Sequence, residues 1–104
     1  MFGLSFKKIG LFASTNNPIS EYLIHINNIE ILFIKNNINS EYCKDKLDNL
    51  KRHFPDYFEQ KNYLAVKSIC ITIDRVLYDQ GQGNKEIQNE INILLRKFSA
   101  YCNR

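Results

Sequence analysis

The densest hydrophobic patterning lies at Glu21–Lys35, EYLIHINNIEILFIK, where two alternating runs flank the dipeptide Asn27-Asn28. Asparagine tolerates the positive φ of a two-residue hairpin turn, so this pattern predicts a β-hairpin. With that pair as the turn, Ile26 faces Ile29, Ile24 faces Ile31 and Tyr22 faces Phe33, all on one apolar face. His25 then pairs with Glu30 and Leu23 with Leu32 on the other face. A slip of one residue would mix the two sets, so the pattern specifies its own register. Upstream, Phe2, Leu4 and Phe6 alternate, and Ile9, Leu11 and Ala13 resume the alternation after a slip at Lys7-Lys8. A bulge at the lysines would keep both sets on one sheet face, and strand is preferred to helix for residues 2–13. Ser14-Thr15-Asn16-Asn17-Pro18 then reads as a turn.

Helical periodicity takes over after Asn36-Asn37. Asn39 or Ser40 can accept from first-turn amides, and Cys43, Leu47, Leu50 and Phe54 recur at spacings of four, three and four. Pro55 excludes the preceding residue from helix and predicts a stop near His53-Phe54. The same proline suits the first turn of a second helix. From Tyr57 to Tyr78 apolar residues cover most of the circumference, as in a helix covered on several sides, with a kink or break near Lys61-Asn62 left open. Gly81 suits a helix end, and Ile87, Ile91, Leu94, Leu95, Phe98 and Tyr101 mark one face of a last helix. The expected fold class is therefore α+β. An N-terminal antiparallel β-hairpin or three-stranded meander is followed by three α-helices packed on one face, with residues 1–104 as a single domain.

Composition sharpens this only slightly. A content of 44% hydrophobic and 24% charged residues is that of a folded domain, not a disordered chain. The net charge of +3 comes from scattered residues of both signs, too thin for the basic stripe of a committed duplex-DNA binder. Cys43, Cys70 and Cys102 have no CxxC spacing and sit among apolar helical residues, which reads as buried thiols in a reducing compartment. The opening MFGLSFKKIGLF places its lysines in the middle, whereas a secretory leader places charge first. No stretch approaches the ~18 apolar residues of a membrane span, so a cytoplasmic location is expected.

Candidate chemistry is sparse. His25 opposite Glu30 reads as a cross-strand pair, because acid–base catalysis would require a third group and a pocket. His53 suits a helix C-terminus. Asp74-Arg75 interrupts the most apolar helix and implies a solvated strip, an internal ion pair or a partner contact. Gly81-Gln82-Gly83 matches neither phosphate-binding glycine motif and follows a helix instead of a strand. No Cys/His pair has ligand spacing, so no metal, cofactor or catalytic residue is assigned and the chain is read as a non-enzyme. The expected function is that of a small protein-interaction module neutralising a partner by steric occlusion, in the general manner of immunity proteins and antitoxins. The expected partner is another protein, such as a toxin encoded nearby, with a homodimer as the other occupant. If the outer hairpin face stays exposed, the expected contact surface is Leu23, Leu32 and Ile34, rimmed by Glu21, His25 and Glu30; the competing arrangement has helices covering both faces of the hairpin. Two further readings are a nucleic-acid-binding regulator of bacterial or phage origin and a peripheral membrane protein using Phe2–Phe12. Scattered charge weighs against the first, and a plain strand with two exposed lysines competes with the second.

Overall fold

A computed structural model describes residues 18–104, and the strand expected over 2–13 lies outside them. Among the described residues there are four α-helices and no strand: α1 (Pro18–Lys35), α2 (Glu41–Glu59), α3 (Tyr63–Asp79) and α4 (Lys85–Cys102). The expected hairpin is thus replaced by one helix that runs straight through Asn27-Asn28. The reason is that the segment satisfies two periods at once. Tyr22, Ile26, Ile29 and Phe33 alternate about the asparagines, and they also recur at spacings of four, three and four. The helix buries these four and leaves Ile24 and Ile31 outside, splitting the six residues that a hairpin would have kept together. Two mid-helix asparagines cost at most about 0.7 kcal/mol each. A two-stranded ribbon, by contrast, is marginal by itself, whereas a fourth helix closes a bundle.

The helices form an antiparallel ring in which each neighbours the next and α4 returns to α1. Lys51 of α2 pairs with Glu30 of α1, and the Cys43 thiol of α2 faces the Ile73 carbonyl of α3. Gln88 of α4 donates to Asp74 of α3, and Lys97 of α4 pairs with Glu21 of α1. One buried stripe from each helix fills the centre: Tyr22/Ile26/Ile29/Phe33, Cys43/Leu47/Leu50/Phe54, Val66/Cys70/Ile73/Leu77 and Ile87/Ile91/Leu94/Phe98. The core is aromatic at one end. Phe54 and Phe98 lie 5.2 Å apart by ring centroid, Tyr22 stands edge-on to Phe98 at 5.6 Å, and Phe58 stacks on Tyr101 at 4.6 Å. Such pairs add about 0.5–1.5 kcal/mol each beyond the burial of their area.

All three connections use one device. Asn37, Lys61 and Gly81 have φ of 54°, 52° and 74°, each just past a helix end. In each case the next amide reaches back to the helix: Ile38 to the Phe33 carbonyl, Asn62 to Tyr57 and Gln82 to Leu77. This six-to-one closure is the Schellman stop. A side chain then starts the following helix, with Ser40, Asn62 and Asn84 accepting from the amides of Cys43, Ala65 and Ile87 at 3.2, 3.2 and 3.0 Å.

Pro55 does not divide α2, contrary to the expected stop at His53-Phe54. The ring removes one amide near the C-terminal end of a helix whose Phe54 is fully buried, and the break falls instead at Gln60–Asn62. The three helices expected after residue 40 are all present, with that boundary moved.

Candidate interaction faces

Two features outside the core bear on function: a polar seam between α1 and α4, and apolar side chains that α1 and α3 turn away from the bundle.

The seam begins at Glu90 of α4, whose carboxylate lies 3.1 Å from His25 Nδ1 and accepts from Asn28 Nδ2 at 3.5 Å. Lys97 Nζ lies 3.3 Å from His25 Nε2 and 3.1 Å from a Glu21 carboxylate oxygen. An ammonium can only donate, so Nε2 accepts and the ring proton sits on Nδ1, pointing at Glu90. Both imidazole nitrogens are then occupied by neighbours within the chain, which suits a group that locks α1 against α4. His25 therefore faces Glu90, not the Glu30 expected from a hairpin; Glu30 instead pairs with Lys51 at 2.9 Å.

The six residues expected to form one contact surface divide into two groups. At about 100° per residue, Glu21, His25 and Leu32 fall on the α4 flank of α1. Leu23, Glu30 and Ile34 fall roughly half a turn away, on the flank toward α2. Leu23 and Leu32 are half-buried against the core, and Ile34 is 74% exposed. The single surface that alternation implied has become the two sides of one helix.

Between those flanks lies a face the sequence reading did not single out. Ile24 is 60% and Ile31 53% exposed, and with Asn27 between them they recur at spacings of three and four, the period of a coiled-coil seam, with Ile34 at its edge toward α2. Beside it, Ile31, Leu32 and Ile93 line a groove toward α4 whose polar wall includes Asn28, Glu86 and Glu90. On α3, Leu64 and Tyr78 are 73% and 76% exposed, and Ile71 between them is also exposed. Their spacing of seven sets them on one outward stripe. The readable signal was the excess: α1 and α3 carry more apolar residues than one buried stripe requires. Asp74 and Arg75 also resolve here, Asp74 half-buried and accepting from Gln88 at 3.3 Å, Arg75 exposed to solvent.

Burial governs the cysteines. Desolvation pushes the Cys70 thiol up to about 12, and burial also raises Cys102 against the opposing pull of Lys61. All three thiols are free, Cys43 and Cys70 buried and Cys102 half-buried. Among the described residues no group of three His, Cys, Asp or Glu side chains is arranged to hold a metal ion, and no helix is long and apolar enough to cross a membrane. Compared with known protein families, curated proteins and solved structures, the chain matches none of them.

Proposed function

We propose that this chain is a protein-interaction module that neutralises a partner protein by covering its working surface, in the manner of an immunity protein or antitoxin. The observation that carries the reading is the outward stripe of α3: Leu64, Ile71 and Tyr78 stay exposed although the core behind them is already filled. Apolar groups in contact with water are the usual anchors of a docking face, and aromatic ones especially so. Lys67 and Arg75 lie beside the stripe and Asp74 lies next to Tyr78, so its margin carries both signs of charge, able to orient a partner of complementary pattern. A rigid bundle loses little conformational entropy on docking, which favours occlusion by shape.

Charge distribution weighs against a nucleic-acid partner. Lys35, Lys44, Lys51, Arg52 and Lys97 each lie within 3.6 Å of a carboxylate of the same chain. Phosphate binding would require those cations to exchange partners.

The test is co-expression with the protein encoded by the adjacent gene, scored by growth and by co-purification. Growth inhibition by that neighbour should be relieved by the parent chain and not by Leu64→Asp or Tyr78→Asp variants of unchanged helicity. Equal relief by parent and variants would reject the α3 face, and no relief by the parent would reject neutralisation.

A further inference from the structure

The outward face of α1 has a symmetry that the α3 stripe lacks. Ile24 and Ile31 stand equally far on either side of Asn27-Asn28 and are the matched pair that faces outward. The other matched pairs point inward, Ile26/Ile29 and Tyr22/Phe33 into the core and Leu23/Leu32 half-buried at its edge. In a hairpin that symmetry would pair residues within the chain. In a helix it makes the outer face self-complementary, because two antiparallel copies related by a two-fold axis between Asn27 and Asn28 present matching residues to each other. From these observations we infer that α1 is a homodimerisation helix, docking outer face to outer face on a second copy of this chain.

The pairing follows from helix geometry. Ile24 of one copy meets Ile31 of the other, and the reverse, giving two equivalent apolar contacts from side chains that are more than half exposed in the single chain. Asn27 and Asn28 lie at the axis; Asn28 is half-buried and donates to Glu90 of its own chain, and the exposed Asn27 amide is the one placed to exchange hydrogen bonds with the second copy. A polar residue in an apolar seam fixes the register, because any shift would set an asparagine against isoleucine. Charge fixes the direction. Glu21 and Lys35 lie at opposite ends of α1 on the same flank, so antiparallel copies bring Glu21 beside Lys35 at both ends. Parallel copies would set Glu21 on Glu21 and Lys35 on Lys35. Within each chain Glu21 already pairs with Lys97 and Lys35 with Glu86, so the junction extends each pair into an alternating row of charges. The dimer uses a different face from α3 and leaves that stripe outward on both copies, so either reading can fail while the other stands.

The experiment is self-crosslinking of single-cysteine substitutions in the full chain, with sedimentation across a concentration series. Asn28→Cys lies at the axis and should form an intermolecular disulfide under mild oxidation. Lys35→Cys stands roughly 22 Å from its own counterpart in the antiparallel pair, at 1.5 Å of rise per residue, and should form none above the background of the parent chain. The parent should show a dimer that dissociates on dilution. Ile24→Glu and Ile31→Glu should weaken it by about tenfold or more while leaving the helical circular dichroism unchanged, and should abolish the Asn28→Cys crosslink. Sedimentation as a monomer at every concentration would overturn the proposal. So would crosslinking of Lys35→Cys as readily as Asn28→Cys, or a dimer indifferent to both glutamate substitutions.

Discussion

α2 and α4 divide into a buried side and a mostly charged side, with Tyr42 at the start of α2 the one large exposed apolar residue between them, whereas α1 and α3, diagonal to each other in the ring, carry several apolar residues on both. For α2 and α4 the bundle accounts for the hydrophobic pattern apart from Tyr42, whose ring lies on the surface under Lys46. Each shows one stripe, and the remaining circumference is Lys, Arg, Asp, Glu, Asn and Gln interrupted by few apolar side chains. For α1 and α3 the same core buries four residues apiece, holds others such as Leu23, Leu32, Ile69 and Val76 half-buried at its edge, and leaves Ile24, Ile31, Ile34, Leu64, Ile71 and Tyr78 over. The lesson is that hydrophobicity in these two helices reports two demands, one from the fold and one from outside it. Only the first is visible as burial.

The contrast is easiest to break at the inward positions. Phe98 of α4 and Phe54 of α2 are fully buried in the aromatic end, and Phe98→Ala should cost about 3–5 kcal/mol in denaturant unfolding. A loss under 1 kcal/mol would mean that the aromatic end is not the rigid centre described above. The inward side of α3 has its own signature. Below pH 9.0 the Cys70 thiol is protonated in folded and unfolded chains alike; between there and about 12 only the unfolded chain releases the proton. Stability should therefore fall by about 1.4 kcal/mol per pH unit through that window from this group alone, and Cys70→Ala should flatten the slope by that amount. An unchanged slope would show that water reaches the thiol.

Smaller effects separate helix starts from outer faces. Asn84→Ala removes the acceptor for the Ile87 amide and should cost about 1 kcal/mol, measured by thermal or denaturant melting. Ile24→Gln and Leu64→Gln should each change the stability of the isolated chain by no more than about 0.5 kcal/mol. A penalty on the scale of Phe98→Ala at either outer site would put those residues inside the fold and erase the distinction between the two helix pairs.

Much of this was legible in the sequence, for a definite reason. The stripes of α2, α3 and α4 were readable because polar residues interrupt them at helical spacing; Cys43, Leu47, Leu50 and Phe54 went inside as their period required. α1 was misread because its polar residues are too few to choose between periods of 2 and 3.6, and the asparagines at its centre resemble a turn. Its end signals, Glu21 in the first turn and Lys35 in the last, were present but weak beside that symmetry. Pro55 was misread because a local steric preference yielded to the burial of Phe54 next to it. The polar seam could not have been found locally, since His25 and Glu90 are 65 residues apart and only the closed ring brings them together.

That ring also sets an order on how the molecule assembles. Three of its four helix contacts join consecutive helices across short loops with their own stop and start residues, so they close small loops at low entropic cost. The fourth, α4 on α1, must bring together segments separated by most of the chain. It is also where the polar contacts of His25 and the ion pairs of Glu21 and Lys35 gather. The costly closure therefore falls to one seam, and that seam carries the residues that tell α4 where on α1 to stop.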